Sequence, residues 1–177
     1  MTESELVDAV FDKEGRVYGD EHTTPPIDQP TAAGGITLPV LAEFLGRSAS
    51  VAELKALTVE TATPVVQWRL RQISRRNGFD VIAFEPLRLQ MIDLSYNSGE
   101  SLAIRWLQRV LRVPRTSKMD VPTRDALASN DGFMTNQALV GARLQMIHRA
   151  VDSGTIDKRF ERGLENRALM FSLLEIP

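Results

Sequence analysis

Residues 86–96, Pro86-Leu87-Arg88-Leu89-Gln90-Met91-Ile92-Asp93-Leu94-Ser95-Tyr96, place apolar side chains on nearly every side of a helix. Leu87, Leu89, Met91, Ile92 and Leu94 leave little polar face, so this segment is expected to be a central helix buried on most sides. A helix of that kind needs other helices around it, and the sequence downstream supplies them. In residues 101–111, Leu102, Ala103, Trp106, Leu107 and Val110 fall on one face, and Pro114 follows the end. A short helix is expected around residues 123–128. Leu139, Val140, Leu144, Ile147 and Val151 mark a long helix over 136–153, with Gly154 behind it, and a last one is expected near 159–174. Asp93 sits within the most apolar helix, where a carboxylate needs a buried hydrogen-bond partner, so a structural role is expected for it.

Upstream, Thr2 and Glu5 form a capping-box pattern, and Leu6, Val7, Val10 and Phe11 then make one helical stripe that runs until Gly15. The periodicity disappears between Gly15 and Gly35. Gly19, Pro25, Pro26, Pro30 and Gly34 punctuate that stretch, which is expected to be an irregular segment or a short β-hairpin. Helical signals return with Thr37 as a cap and Pro39 in the first turn, then Ser50 with Glu53, then Thr63 with Pro64 opening a longer helix that ends at Gly78. The expected architecture is a mainly α, helical globule, one domain over residues 1–177, interrupted only by the segment after the first helix.

Composition narrows the chemistry. The chain has 21 Lys and Arg against 23 Asp and Glu, a net charge of −2, so no global excess of cations draws it to nucleic acid or anionic lipid, although local basic patches remain open. Arg69, Arg71, Arg75 and Arg76 read as a solvated helix face. With no cysteine, disulfides, thiolate nucleophiles and thiolate metal sites are excluded. Two histidines, His22 and His148, give a Ser-His-Asp triad or a histidine-rich metal site little support. No metal or other cofactor is expected, and carboxylates remain as the chemistry. The acidic start Met1-Thr2-Glu3-Ser4-Glu5 is unlike a signal peptide, and no apolar run reaches the ~18 residues of a membrane span. A protein made soluble in the cytoplasm, with no integral membrane segment, is the expectation.

Three stretches resemble the phage and secretion-associated muramidases of glycoside hydrolase family 108. The first is Glu14-Gly15 closing the first helix, followed by Gly35-Ile36-Thr37. The second is Asp93-Leu94-Ser95-Tyr96-Asn97-Ser98-Gly99, continuing through Ala103 to Leu107-Gln108-Arg109-Val110-Leu111. The third is Phe160 through Gly163 to Asn166-Arg167, similar to a Gly-Trp-x-x-Arg ending with Leu164 in place of tryptophan. Their common order in a helical context makes chance agreement a poor explanation. Two departures stand out. Arg16 replaces a second glycine after Glu14, and the Asp-x-Gly-Gly-x-Thr element before Gly-Ile-Thr is not recognisable. The resemblance implies a lysozyme-like helical fold and an N-acetylmuramidase that cleaves peptidoglycan glycan strands without a cofactor. It also implies action on the periplasmic cell wall, with a holin or secretion machinery as partner.

Within that resemblance Glu14 takes the place of the catalytic acid. Glycoside hydrolysis needs a carboxylic acid able to donate a proton to the leaving oxygen. The C-terminal end of a helix, where unsatisfied carbonyls make the potential negative, disfavours the charged carboxylate. Read without the resemblance, Glu14 is an exposed acid paired with Lys13 or Arg16. A second carboxylate would come from Asp20, with Glu21 or Asp28 as alternatives, all in the irregular segment. A loop carboxylate is more easily held at the spacing that admits a water, so inversion at the anomeric carbon is expected. Motif position places Tyr18, Thr37 and Asn97 at the substrate: Tyr18 to stack on a sugar ring, Asn97 to bond an acetamido group or simply to cap a helix end. Trp68 and Trp106 are expected in the core. A lytic transglycosylase, which also uses one glutamic acid, and a non-catalytic peptidoglycan-binding or phage structural protein are the competing readings.

Overall fold

The computed structural model describes residues 2–16, 18 and 31–173. Among the described residues the chain forms nine α-helices and one two-stranded antiparallel hairpin, the mainly α class expected, with the hairpin following the first helix. Two compact units divide the chain, Thr2–Gln72 and Ile73–Pro177. None of the described helices is long and apolar enough to cross a membrane.

In the N-terminal unit, α1 (Glu3–Glu14) opens on the expected capping box: Thr2 Oγ1 accepts from the Glu5 N–H while the Glu5 carboxylate accepts from the Thr2 N–H. Its apolar stripe, Leu6, Val7, Val10 and Phe11, is buried, worth roughly 1.5–3 kcal/mol for each large side chain. The hairpin pairs β1 (Thr31–Ala32) with β2 (Ile36–Thr37), Thr31 opposite Thr37 and Ala32 opposite Ile36. A 3-10 turn, Ala33–Gly35, joins them. Thr37 then occupies the N-cap position of α2 (Leu38–Leu45), with Pro39 in the first turn, but its hydroxyl makes no capping bond. The next helix, α3 (Val51–Lys55), carries the Ser50–Glu53 capping box.

The long helix α4 (Val59–Asn77) begins before the Thr63-Pro64 pair that its sequence suggested as a start. Thr58 and Thr61 set the boundary instead, each backbone N–H donating to the other's hydroxyl, at 2.9 and 3.3 Å. Pro64 lies in the second turn on the exposed side. Its fixed φ suits the helix, but it cannot donate to the Glu60 carbonyl and its ring crowds that carbonyl, two costs that α4 bears at this position. Trp68 is half-buried and meets Phe44 edge to face, with ring centroids 5.7 Å apart.

In the C-terminal unit, α5 (Glu85–Ser98) is the buried helix anticipated, with every residue from Leu89 to Ser95 inaccessible. It packs on α6 (Glu100–Leu111) and α8 (Gly132–Asp152). Helix α7 (Val121–Ser129) packs on α6, and α9 (Glu161–Leu169) on α8. The last helix is shorter than its sequence suggested, because residues 158–160 form a 3-10 turn capped by the Asp157 carboxylate.

Two buried polar clusters hold this unit. Asp93, its side chain 1% exposed, takes Arg143 Nη2 on Oδ2 at 2.8 Å. Its Oδ1 accepts a hydrogen bond from Arg167 Nε at 2.8 Å, and Arg167 Nη2 stands 2.7 Å from the same oxygen as an ion-pair contact. Asp93 thus has the buried partners its position demanded, and it joins the second and third sequence stretches. Gln108, fully buried, organises the loop after α6. Its amide nitrogen lies 2.9 Å from Thr116 Oγ1, 2.8 Å from the Lys118 carbonyl and 3.0 Å from Thr123 Oγ1, and its oxygen accepts the Ser117 N–H at 3.0 Å. Gln108→Leu is expected to cost about 1–3 kcal/mol, by leaving those groups unpaired. Trypsin cleavage after Arg115 and Lys118 should accelerate; unchanged cleavage would show that the loop is held by other contacts.

Candidate functional site

Helix α1 ends at Glu14, and Gly15 turns the chain at φ 95°. From there the hairpin turn is fastened directly to the helix end. The Gly34 N–H donates to the Gly15 carbonyl at 2.8 Å, so a donor in the turn satisfies a carbonyl just beyond the helix. Gly34 and Gly35 both have positive φ, 73° and 69°. The left-handed region is the conformation that glycine adopts without steric cost. Space makes the same demand at Gly34, where a Cβ would lie 2.8 Å from Val66 Cγ2 and 3.0 Å from Phe11 Cε1. Gly34→Ala is therefore expected to destabilise the fold by about 2–4 kcal/mol, from the left-handed backbone and the overpacking together. A melting temperature within a degree or two of wild type would refute that.

Gly35 faces the Glu14 side chain. A Cβ there would lie 3.2 Å from both Glu14 Cγ and Oε2 and 3.3 Å from its Cβ, so the bare backbone of Gly35 forms one wall around the carboxyl. Glu14 is half-buried, its side chain 30% exposed. Lys13 Nζ approaches Oε1 only to 3.8 Å. Arg16 pairs with Asp12 at 2.6 Å. The Glu14 carboxyl is thus walled on one side by backbone, carries one loose ion pair and keeps part of its surface in contact with solvent. Such a group can reach a ligand and exchange a proton with it.

Tyr18 is half-buried, and Lys55 Nζ stands over its ring, 5.2 Å from the centroid. That cation–π contact was not foreseen, since nothing in the spacing of residues 18 and 55 announces it. Thr37 is half-buried at the end of β2. Glu14, Tyr18 and Thr37 all belong to the N-terminal unit; Asn97 belongs to the C-terminal unit. Asn97 Nδ2 donates to the Asp93 carbonyl at 2.6 Å and lies 3.1 Å from Asp93 Oδ1. Its amide is therefore tied to the last turn of α5, close to the helix-end role weighed for it. Asp20, Glu21 and Asp28 lie outside the described residues. Trp106, expected in the core, is half-buried, with the Arg109 guanidinium over its ring.

These features define a mainly α protein whose short hairpin folds back on the end of its first helix and walls a glutamate there. No family model matches the chain, and no curated protein matches it. Among solved structures it is similar to SagA of Brucella abortus, with 26% sequence identity and a TM-score of 0.59, over 98% of this chain and 97% of that one.

Proposed function

We propose that this chain is a peptidoglycan hydrolase, an N-acetylmuramidase of the glycoside hydrolase family 108 type, with Glu14 as the general acid. The observation that carries this reading is the junction of Glu14-Gly15 with Gly34-Gly35-Ile36-Thr37. Two sequence elements separated by a long aperiodic stretch are joined by the Gly34-to-Gly15 bond, and the second of them walls the carboxyl of the first. In this reaction Glu14 protonates the glycosidic oxygen as the bond to the anomeric carbon breaks. A carboxylate from Asp20, Glu21 or Asp28 activates the attacking water on the opposite face, which inverts the anomeric centre. Tyr18 and Thr37, in the same unit as Glu14, hold the sugars. The enzyme acts on the periplasmic wall, which it reaches through a holin or secretion machinery.

Digestion of purified peptidoglycan tests the reading. Soluble fragments with reducing N-acetylmuramic acid ends are expected. Anhydro ends would make the chain a lytic transglycosylase, and binding without release would make it a non-catalytic wall protein. Gly35→Ala sharpens the assignment. The added methyl pushes on the Glu14 carboxyl by a few tenths of an ångström, and a misplaced acid is expected to lose about tenfold or more in rate. Wild-type turnover in Gly35→Ala would detach the hairpin wall from the chemistry.

A further inference from the structure

Between Arg105 and Met119 the sequence carries Arg105, Arg109, Arg112, Arg115 and Lys118 and no carboxylate. In a chain of net charge −2 this is a local reversal of sign. Folding concentrates it. Leu102, Arg105, Trp106 and Arg109 recur at i, i+3, i+4 and i+7 along α6, and the loop pinned by Gln108 brings Arg115 beside them, enclosing a shallow cleft of about 140 Å³. Leu102 is 37% exposed, and the Arg109 guanidinium lies 4.9 Å from the centroid of the Trp106 ring. Among the described residues, Arg105, Arg109 and Arg115 have no carboxylate partner, whereas Arg47, Arg71 and Arg88 each do. The next acid in sequence, Asp120, is held by the hydroxyls of Thr116 and Thr123.

Unpaired guanidiniums that ring an exposed leucine and an indole match a surface of many anions lying over an apolar layer. The arginines meet phosphates while Leu102 and Trp106 enter the boundary between headgroups and acyl chains. We propose that this face of α6 and the loop after it form a peripheral docking surface for an anionic phospholipid bilayer. The surface is independent of the Glu14 chemistry and stands whether or not the chain cleaves peptidoglycan.

Sedimentation of the full chain with vesicles decides it, using phosphatidylglycerol mixed with phosphatidylcholine in one arm and phosphatidylcholine alone in the other. Binding is expected only in the first arm and should fall with salt. Arg105→Gln, Arg109→Gln and Arg115→Gln should each weaken it about five-fold, and the triple variant about 100-fold. A double variant, Arg75→Gln with Arg76→Gln, removes charge from α4 instead and should stay within about two-fold of wild type. Equal binding to both vesicles, no binding to either, or equal losses in the α4 variant would overturn the proposal. So would displacement of the protein from vesicles by inorganic phosphate at millimolar concentration, which would make the cleft a site for a small soluble anion.

Discussion

Glu14→Gln is expected to lower the rate of peptidoglycan solubilisation by at least about 100-fold, the usual size of a general-acid contribution. The amide keeps the shape and volume of the carboxyl, so it still fits beside the bare backbone of Gly35. It has no proton of suitable acidity to give to a leaving alkoxide. Stability should scarcely change, because the interaction lost is a 3.8 Å contact with Lys13 between two partly exposed side chains, and such pairs contribute about 0–1 kcal/mol. The two readouts therefore separate: activity collapses while the urea midpoint stays. If the variant digests walls as fast as wild type, Glu14 is not the acid. If it unfolds instead, the half-buried carboxyl is a structural group and the assignment fails for a different reason.

Wherever the physics is periodic or local, the sequence announces the structure. The apolar run at residues 87–94 becomes α5, with its neighbours packed around it, because such a surface has to be covered on several sides. The Thr2–Glu5 and Ser50–Glu53 boxes are short-range hydrogen bonds and appear where their residues stand. Pro64 misleads for an instructive reason. Proline favours a first turn, but an exposed second-turn position tolerates it, and the stronger start signal is the reciprocal Thr58–Thr61 pair. What stays hidden is long-range. That Gly35 would wall Glu14, or Lys55 cover Tyr18, depends on how α1, the hairpin and α3 come together, and no spacing rule encodes it. Asp93 falls between these cases. Its burial within α5 demands a partner, yet Arg143 and Arg167 lie 50 and 74 residues away.

That cluster carries the largest expected effect on stability. Asp93→Asn should destabilise the protein by about 3–5 kcal/mol, because removing the carboxylate leaves buried guanidiniums without their counter-ion. The amide preserves volume, so packing loss is not the cause. Both arginines are nearly inaccessible, 6% exposed at the side chain, and cannot turn to water without opening the contact between α8 and α9. Arg143 also stacks on the Phe171 ring, 5.4 Å from its centroid, and the Phe171 carbonyl accepts from Asn136 Nδ2 at 2.8 Å. Loosening the arginines should thus release the chain beyond α9, raising hydrogen exchange there before the rest of the unit melts. A rescue distinguishes the charge argument from simple disruption. Replacing all three groups at once, Asp93→Leu with Arg143→Met and Arg167→Met, removes the buried charges together and should recover most of the stability lost by Asp93→Asn. Urea melts of the single and triple variants make the comparison. A single variant within about 1 kcal/mol of wild type, less than the cost of one orphaned buried charge, would show that the guanidiniums find other partners. A triple variant less stable than the single would show that the cluster is favourable in itself and not merely costly to break.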